Sequence, residues 1–366
     1  MTAITSETKR ITYDDVQVVA EQAIIQNLPP EREIIDLLPA EFIVDGFDGI
    51  KDPYDMVGVR LEMRGIAFTG PKTIVHNIKM AVERAGLKLR EFVVAPLAIG
   101  RTILTDGEQD FGTVVIDLGA GQATAAVIHD HQLKFAAVDQ EGGDYITKDV
   151  STVLNISMAD AEKIKRDYGF ANPLQASVNN EFPIHPVGKS EATRISEKYL
   201  AEIIEARVEQ IFTNLFKQLQ PTGALDMPGG LVLTGGSAAL AGIKELAHQM
   251  FGMSVKVMAP TEIGLRHPSY TTGYAVAKLA AQQTMTERVV KQAISGNRLT
   301  AVQQDEATQT EPKKRSLFRK NEEKQENDMN TKPSNEEPDL EGEYFDEEPK
   351  EKMTDKIKGL FANFFD

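Results

Sequence analysis

The sequence contains no cysteine, so disulfide bonds, thiol catalysis and cysteine-ligated metal sites are all excluded. It also contains no uninterrupted apolar run of about 18 residues, the length that a helix needs to cross a bilayer. The first ten residues, MTAITSETKR, lack the apolar stretch that follows the basic residues of a secretory signal. These three absences together favour a protein of the cytoplasm.

Positive charge is also scarce in this chain. The 366 residues carry 40 Lys and Arg against 55 Asp and Glu, a net charge of -15, which argues against nucleic acid as a partner. Residues 322–351 hold two thirds of this charge, because 13 acidic residues and 3 lysines give a net of -10. Such a segment, poor in aliphatic residues, is typical of a disordered linker. The remainder is long enough for two or more folded domains.

The chain ends in an apolar stretch, MTDKIKGLFANFFD. On an α-helix its large apolar residues span an arc of about 140°, because successive residues turn by about 100°. Lysines flank this arc, where their charged ends can meet anionic lipid. We therefore predict a membrane-binding amphipathic helix over residues 351–366; the alternative is a helix that docks on the protein's own body. The predicted lipid contacts are Met353, Lys356, Ile357, Lys358, Leu360, Phe361, Phe364 and Phe365.

A glycine-bearing turn lies between two apolar strands in the middle of the chain. The predicted strands are residues 113–118 and 123–128, and a third follows at 133–138, so Gly119-Ala120-Gly121 is the tip of a β-hairpin. Glycines at such a tip let backbone N–H groups approach a phosphate. Asp117, at the end of the first strand, is placed to hold the water ligands of a Mg²⁺ ion. Taken alone, the D-x-G-x-G pattern fits an ordinary tight turn equally well.

Two features further along the chain agree with a phosphate-binding hairpin. Glu162 and Lys165 lie three residues apart on one face of a predicted helix, where a carboxylate and an ammonium can hold ribose and base. Their alternative role is a surface ion pair. The apolar strand LVLT leads into a Gly235-Gly236-Ser237 turn and then a helix, which brings bare backbone and a helix N-terminus towards a nucleotide. The alternative here is a buried strand with a tight exit.

In this order, the motifs resemble the FtsA family of bacterial cell-division proteins within the actin-like ATPase superfamily. The stretch LLPAEFIVDGFDGIKDPYDMVGVRLEMRGIAFTG is similar to the family's inserted subdomain. VVIDLGAGQATAAVIHD is similar to its second phosphate motif, EGGDYITKDVSTVLNISMADAEKIKRDYG to its connecting motif, and LVLTGGSAALAGI to its adenosine motif. PSYTTGYAVAKLA is similar to its closing helix, and the last fifteen residues also match.

The resemblance implies an α/β fold, namely the two-lobed actin-like (ribonuclease-H-like) fold with an inserted α+β subdomain. The implied divisions are a remnant of the first lobe (1–33), the inserted interaction subdomain (34–95), a return to the first lobe (96–111), the second lobe with its phosphate hairpin (112–156), a partner-binding subdomain (157–222), the second lobe with the adenosine motif and closing helix (223–290), a disordered acidic linker (291–350) and the membrane-binding helix (351–366).

The same resemblance implies a division adaptor that tethers FtsZ filaments to the cytoplasmic face of the plasma membrane at the septum and polymerises with itself. Its implied partners are the FtsZ C-terminal peptide, further copies of the chain and anionic lipids, and Arg207 is the expected exposed anchor for the peptide. The implied ligands are ATP and Mg²⁺, with Asp117 at the metal. The implied cofactor-binding residues are Asp117, Gly119, Gly121, Gln122, Gly142, Gly143, Glu162, Lys165, Gly235, Gly236 and Ser237.

Two departures from the family's pattern bear on ATP. The family begins with a strand hairpin that carries a first phosphate loop, whereas ten polar residues precede Ile11 here, so we expect an incomplete cleft and impaired ATP binding. Either a gene model that starts at an internal Met or a natural variant is compatible with this. The loop also carries Ala120, Gln122, Ala123 and Thr124 where the family commonly has a third glycine and hydroxyl or acidic residues. We therefore expect weak or absent hydrolysis and assign no catalytic residue.

Two rival functions belong to other classes. A soluble actin-fold kinase would need a catalytic aspartate and a sugar pocket, and it would not need the apolar C-terminal stretch. A chaperone-type ATPase would need a substrate domain where this chain has its acidic segment.

Overall fold

The computed structural model describes residues 2–25 and 28–295 of the chain. These ranges contain a four-stranded sheet, a five-stranded sheet and a two-stranded ribbon, with helices packed on both larger sheets. The predicted α/β class is confirmed. None of the helices in these ranges has both the length and the apolar character needed to span a bilayer.

The first sheet is antiparallel and forms early in the chain. Its strands are β1 (Thr2–Arg10), β2 (Arg32–Val44), β3 (Phe47–Ile50) and β4 (Val57–Pro71), in the spatial order β1-β4-β2-β3. Helix α1 (Tyr13–Ile24) lies between β1 and β2 in sequence, and α2 (Lys72–Arg84) follows β4 directly.

Helix α1 has a start and a buried face that follow from its sequence. Thr12 caps it: the Thr12 hydroxyl accepts from the Asp15 amide, and the Asp15 carboxylate accepts from the Thr12 amide. This reciprocal capping satisfies two backbone donors that a helix start leaves unpaired. The apolar residues Val16, Val19, Ala20 and Ala23 are buried as their spacing predicts.

The division predicted between residues 33 and 34 is not where the structure divides. Strand β1 pairs with β4, from Thr2 opposite Glu62 to Arg10 opposite Val57. Helix α1 shares one apolar core with β2 and β4. Residues 2–25 and 28–33 therefore belong to the same sheet-and-helix unit as the segment that follows, rather than to a remnant of another lobe. The polar sequence of β1 hid this, because strand prediction relies on apolar alternation.

The segment after α2 also differs from the prediction. Helix α2 ends at Arg84 with Ala85 as its C-cap, and Gly86 takes a φ of 73°, as expected for a glycine just past a helix end. The apolar residues of LREFVV favour a strand by sequence, yet residues 87–94 have no regular secondary structure. Such residues favour a strand only where a neighbouring strand pairs with them, and none does so among the described residues.

The rest of the described chain alternates helices with short strands. In chain order these elements are α3 (Ala95–Ile103), α4 (Asp106–Phe111), β5 (Thr113–Leu118), β6 (Ala123–His129), β7 (Gln132–Asp139), α5 (Gly143–Leu154), α6 (Met158–Tyr168), β8 (Glu181–Ile184), β9 (Thr193–Ser196), α7 (Glu197–Leu219), β10 (Leu231–Thr234), α8 (Ile243–Phe251), β11 (Val255–Val257), α9 (Thr271–Gln282) and α10 (Met285–Ser295).

The second sheet has the order β11-β10-β5-β6-β7 and carries the predicted hairpin. Strands β5, β6 and β7 are successively antiparallel, and β10 lies parallel to β5, so the three predicted strands are confirmed. Residues of α5, α6, α7 and α8 form a core with one face of the sheet, and residues of α3 and α9 form a core with the other. Helix α3 therefore packs on this sheet, whereas residues 96–111 were predicted to return to the first lobe.

Helix α7 lies inside the larger of these two cores. Its predicted apolar stripe is buried as expected, except that Ile203 is only partly buried. Because that stripe packs with the strands of the second sheet, residues 157–222 do not have a core of their own. The predicted partner-binding subdomain is thus continuous with the second lobe.

The last described helix, α10, returns to the first sheet. Val289, Val290 and Ala293 are buried in the core that α1 and β2 build. Residues 291–295 belong to α10, so the acidic linker cannot begin at residue 291 as predicted. The remainder of the predicted linker and the predicted membrane-binding helix lie outside the described residues.

Candidate functional site

The glycine pair at the start of α5 docks directly on the hairpin tip between β5 and β6. The Gly143 amide donates to the carbonyl oxygen of Gly119 at 2.9 Å, and the Asp144 amide donates to that of Ala120 at 2.9 Å. A Cβ at Gly142 would overlap Ala120 O and lie 2.7 Å from Gln122 N, so this approach requires glycine. The structure thereby brings together two motifs that are more than twenty residues apart in sequence.

The turn after β10 packs against the same glycine pair and hairpin. A Cβ at Gly143 would lie 2.5 Å from Ser237 Oγ, which puts that hydroxyl against the glycine pair. Gly235 takes a φ of 89° and packs against Asp117 and Leu118, where a side chain would collide with both. The prediction of a helix directly after this turn is only partly right. A single 3₁₀ turn covers Gly236–Ala239, and α8 begins later, at Ile243.

Lys165 is buried and binds the glycine pair from below. Its ammonium donates to Gly143 O at 3.0 Å and to Thr147 Oγ1 at 2.7 Å, and it forms an ion pair with Glu162 at 2.6 Å. These three contacts match the three donors of a lysine ammonium. Lys165 therefore fixes the position of Gly143 at the edge of the site, and its i,i+3 ion pair with Glu162 is largely withdrawn from solvent on the lysine side.

Glu162 is more open than Lys165, with 42% of its side chain exposed. Burial works to raise the pKa of this carboxyl, but the hydrogen bonds from Lys165 and Thr147 outweigh it and hold the pKa below its ordinary value. Its Oε2 is shared by Thr147 and Lys165, whereas Oε1 makes no hydrogen bond among the described residues. An ionised, partly exposed carboxylate is therefore available at the edge of the site.

Asp117 lies behind the hairpin tip, at the point where β5 ends. Burial raises the pKa of this carboxyl, and a hydrogen bond from Thr272 of α9 at 2.7 Å partly offsets the effect. No group of three or more His, Asp or Glu side chains suited to a metal occurs in residues 2–25 and 28–295. Any metal at Asp117 would thus have at most one further such side chain from the described residues, with water or a ligand completing its shell.

A cavity of about 530 Å³ opens between α5, α6 and the turn after β10. Of the predicted residues, Gly143, Glu162, Lys165, Gly236 and Ser237 line it. Asp117, Gly119, Gly121, Gln122, Gly142 and Gly235 do not; they form the hairpin and the turns that shape its floor. The volume lies in the ordinary range for a small-molecule site.

The sequence did not identify several other residues that line this cavity. They are Ala120, Asp144, Arg166, Asp167, Gly169, Ala239, Leu240, His267 and Ser269. His267 and Ser269 had a usable signal, because His267 caps the turn that precedes α9: its Nδ1 accepts from the Ser269 amide. The others are set by which elements the fold brings together.

A larger cavity, of about 630 Å³, lies between the first sheet and the β6–β7 turn. Pro39 and Lys51 line it on one side, and Arg101, Gln132 and Glu287 on the other. It contains none of the predicted residues. The smaller cavity at the hairpin is therefore the better candidate for a ligand site, because the predicted glycines and charged side chains are found there.

Arg207 was predicted as an exposed partner anchor; the predicted exposure is wrong, whereas its part in partner binding stays a prediction. Only 17% of its side chain is exposed, and its guanidinium is paired with Glu141 and Asp149. The hydrogen bond to Asp149 is the main reason that the pKa of Arg207 is raised further above its ordinary value. The sequence suggested exposure because Glu205 and Glu209 flank Arg207 on α7, but its partners come from the neighbouring helix and loop.

The chain is similar to proteins of one family along its whole length. The family models described as "Cell division protein FtsA", "SHS2 domain inserted in FTSA" and "Cell division protein FtsA, C-terminal" match residues 114–275, 1–69 and 286–366. Cell division protein FtsA of Enterococcus faecalis is 48% identical over 367 residues, which cover 100% of this chain and 79% of that protein. FtsA of Enterococcus hirae is 46% identical over 371 residues, with the same coverage. Among solved structures, MreB5 of Spiroplasma citri bound to ADP matches with a TM-score of 0.49 at 16% identity, covering 60% of this chain and 68% of that one.

Proposed function

Because this chain belongs to the FtsA family of cell division proteins, we propose that it tethers FtsZ filaments to the cytoplasmic face of the plasma membrane at the division septum. The observation that carries the proposal is the 48% identity to an FtsA over the whole chain. That match includes the acidic segment and the apolar C-terminal stretch, the two parts of the sequence that an adaptor needs and a soluble kinase does not.

A nucleotide, ATP with Mg²⁺, is the ligand we propose for the cavity at the hairpin. The fit rests on chemistry present in the chain: glycines permit backbone approach at the hairpin tip, and Glu162 offers a free carboxylate oxygen at the rim. Lys165 would orient Glu162 and keep Gly143 in place rather than contact the ligand, since its donors are occupied. Mg²⁺ would supply neutralisation of phosphate charge, with Asp117 as its protein ligand.

Hydrolysis is not the proposed role of this site. Asp117, the partly buried carboxyl behind the hairpin tip, already accepts a hydrogen bond from Thr272 and is therefore poorly placed to act as a general base. Ala120 and Gln122 leave the tip without a hydroxyl or acidic group that could orient water. The proposed role of the nucleotide is therefore to order the lobe for self-association.

The FtsZ C-terminal peptide is proposed to bind the second lobe around α6, the β8–β9 ribbon and α7. The segments between these elements expose Leu174, Val178 and Val187, so the surface offers contacts to the apolar part of an acidic peptide. Lys189 and Arg194 lie in the same stretch and can pair with its carboxylates. Arg207 is not proposed as the anchor.

Membrane attachment is proposed for residues 351–366, on the strength of their sequence pattern. A single short amphipathic helix binds lipid only weakly, so stable attachment would need several copies held together. Self-association along a protofilament supplies that multivalency. The proposal therefore joins three weak interactions, namely with lipid, with FtsZ and with further copies of this chain.

The test is a reconstitution on liposomes that contain anionic lipid. We expect the full chain to carry FtsZ into the liposome pellet, and a variant without residues 352–366 to leave FtsZ in the supernatant. FtsZ lacking its C-terminal peptide is the matched control and should stay in the supernatant with either protein. Equal pelleting of FtsZ with the full and shortened chains would contradict the adaptor function.

A further inference from the structure

Arg207 of α7 forms a compact cluster with the chain segment that opens α5. Its Nε and Nη2 atoms donate to the two oxygens of Asp149 at 2.5 and 3.0 Å, which makes a bidentate pair. Its Nη1 donates to Glu141 at 2.6 Å and to Gln210 at 3.0 Å. The guanidinium carbon also lies 5.6 Å from the centre of the Tyr145 ring. One side chain thus contacts residues before, within and after the first turn of α5.

The geometry of this cluster is of the kind that stabilises a structure more than an ordinary surface ion pair does. Arg207, Glu141 and Asp149 are 17%, 24% and 30% exposed, so all three side chains are largely withdrawn from water. Paired donors on a planar guanidinium fix both distance and orientation, which a lysine cannot do. Without the arginine, two carboxylates would remain close together with no cation between them, and they would repel each other.

Glu141 immediately precedes the glycine pair that docks on the hairpin. The amides of Gly143 and Asp144 donate to the hairpin carbonyls, and Lys165 binds Gly143 from the opposite side. Glycine has more conformational freedom than any other residue, so a glycine pair keeps one position only if its neighbours hold it. Arg207 binds Glu141, which precedes the pair, and it also contacts Tyr145 and Asp149 in the first two turns of α5.

We propose that Arg207 is a positioning residue for the nucleotide site: it fixes Gly142 and Gly143 against the hairpin without touching the ligand. This inference rests on the proposed nucleotide binding for its functional consequence. Its structural part, that the guanidinium holds the α5 start and the hairpin tip together, is independent of any ligand. Arg207 thereby links α7 to the glycine pair at the floor of the cavity.

The experiment compares the wild type with Arg207→Gln and Arg207→Lys by amide hydrogen exchange and by titration with a fluorescent ATP analogue in Mg²⁺. In Arg207→Gln we expect exchange at residues 119–122 and 142–147 to accelerate at least tenfold, and affinity for the analogue to fall at least tenfold. Arg207→Lys should lie between the two, because it keeps the charge but loses the bidentate geometry. Arg60→Gln is the matched control: Arg60 pairs with Glu62 on β4 of the first sheet, and its removal should change neither readout.

The outcomes separate positioning from general stability and from failure of nucleotide binding. Wild-type exchange rates at residues 142–147 in a folded Arg207→Gln would overturn the inference, and so would an acceleration spread evenly over the second sheet. If the wild type does not bind the analogue, the proposed ligand is wrong, while the exchange data still decide the positioning role. If Arg207→Gln does not fold, Glu141→Gln and Asp149→Asn each remove one partner and should produce the same local acceleration; unchanged local exchange in both would refute the proposal.

Discussion

The ammonium of Lys165 on α6 donates a hydrogen bond to the carbonyl oxygen of Gly143 at 3.0 Å, and the amide of Gly143 donates one to the carbonyl oxygen of Gly119. Gly143 is therefore held by hydrogen bonds at both its N–H and its C=O, one to the hairpin and one to a buried lysine. This pairing joins the three predicted motifs, which are well separated in sequence, into one site. Its consequences can be measured one residue at a time.

Gly142→Ala should destabilise the protein and weaken nucleotide binding. The new methyl group would overlap Ala120 O and crowd Gln122 N, so the α5 start must move away from the hairpin. We expect a loss of about 1–3 kcal/mol in the free energy of unfolding, as for other overpacked positions. Gly273→Ala is the control, because a Cβ there meets nothing within 4 Å and alanine suits helix α9 better, by about 0.5–1 kcal/mol. Urea denaturation measures both, and equal stabilities of the wild type and Gly142→Ala would show that the close approach is not required.

Lys165→Met should change how stability depends on pH. The pKa of Glu162 is below its ordinary value in the folded protein, so its contribution to stability is complete above the unfolded pKa, about 4.3. That contribution is lost as the pH falls through the folded pKa. The stability difference between the wild type and Lys165→Met should therefore shrink as the pH is lowered from 6 towards 3.

Denaturant unfolding at a series of pH values tests this dependence. Lys163→Met, on the exposed face of the same helix, should follow the wild type throughout. A constant difference between the wild type and Lys165→Met over the whole series would disconnect Glu162 from Lys165.

Asp117→Asn should raise stability at neutral pH and remove any dependence of nucleotide affinity on Mg²⁺. Burial raises the pKa of Asp117, so ionisation costs folding stability as the pH rises above the ordinary value, about 3.9. An asparagine oxygen can still accept from Thr272 but cannot ionise. Thermal unfolding and titration with and without Mg²⁺ give the two readouts. Asp48→Asn, at an exposed position of β3, should alter neither, and an unchanged Mg²⁺ dependence in Asp117→Asn would place the metal elsewhere.

Phe361→Glu should abolish binding to anionic liposomes without changing the fold. The predicted helix places Phe361 inside its apolar arc, where a carboxylate would have to enter the lipid interface at a cost of several kcal/mol. Asn363→Glu adds the same charge outside that arc and should bind nearly as the wild type does. Co-sedimentation separates the two, and equal pelleting of Phe361→Glu and wild type would rule out the proposed anchor.

The sequence predicted well those elements whose signals are local. Three apolar strands around Gly119-Ala120-Gly121, the capped helix after Thr12 and the buried stripe of α7 all follow from spacing within one element. The pairing of Glu162 with Lys165 was likewise visible as an i,i+3 relation, although its burial was not.

The remaining features depend on contacts between distant parts of the chain. The polar strand β1 is a strand because β4 pairs with it, and residues 87–94 lack regular structure because no described strand does. Arg207 carries two acidic neighbours on α7, yet its partners are Glu141 and Asp149, which come from 58 to 66 residues away. Side-chain partners at such separations are set by tertiary packing, and local spacing does not report them.

Helix α10 is the element through which a force on the C-terminal stretch would first act on the described part of the protein. Lys291 lies between Asp36 of β2, at 3.0 Å, and Glu91, at 3.1 Å, and its side chain is 9% exposed. Tension applied beyond residue 295 would reach this buried ion cluster and the antiparallel first sheet before it reached the hairpin. With the membrane attachment proposed above, a pull on the C-terminal stretch would therefore load the first sheet rather than the cavity beside α5.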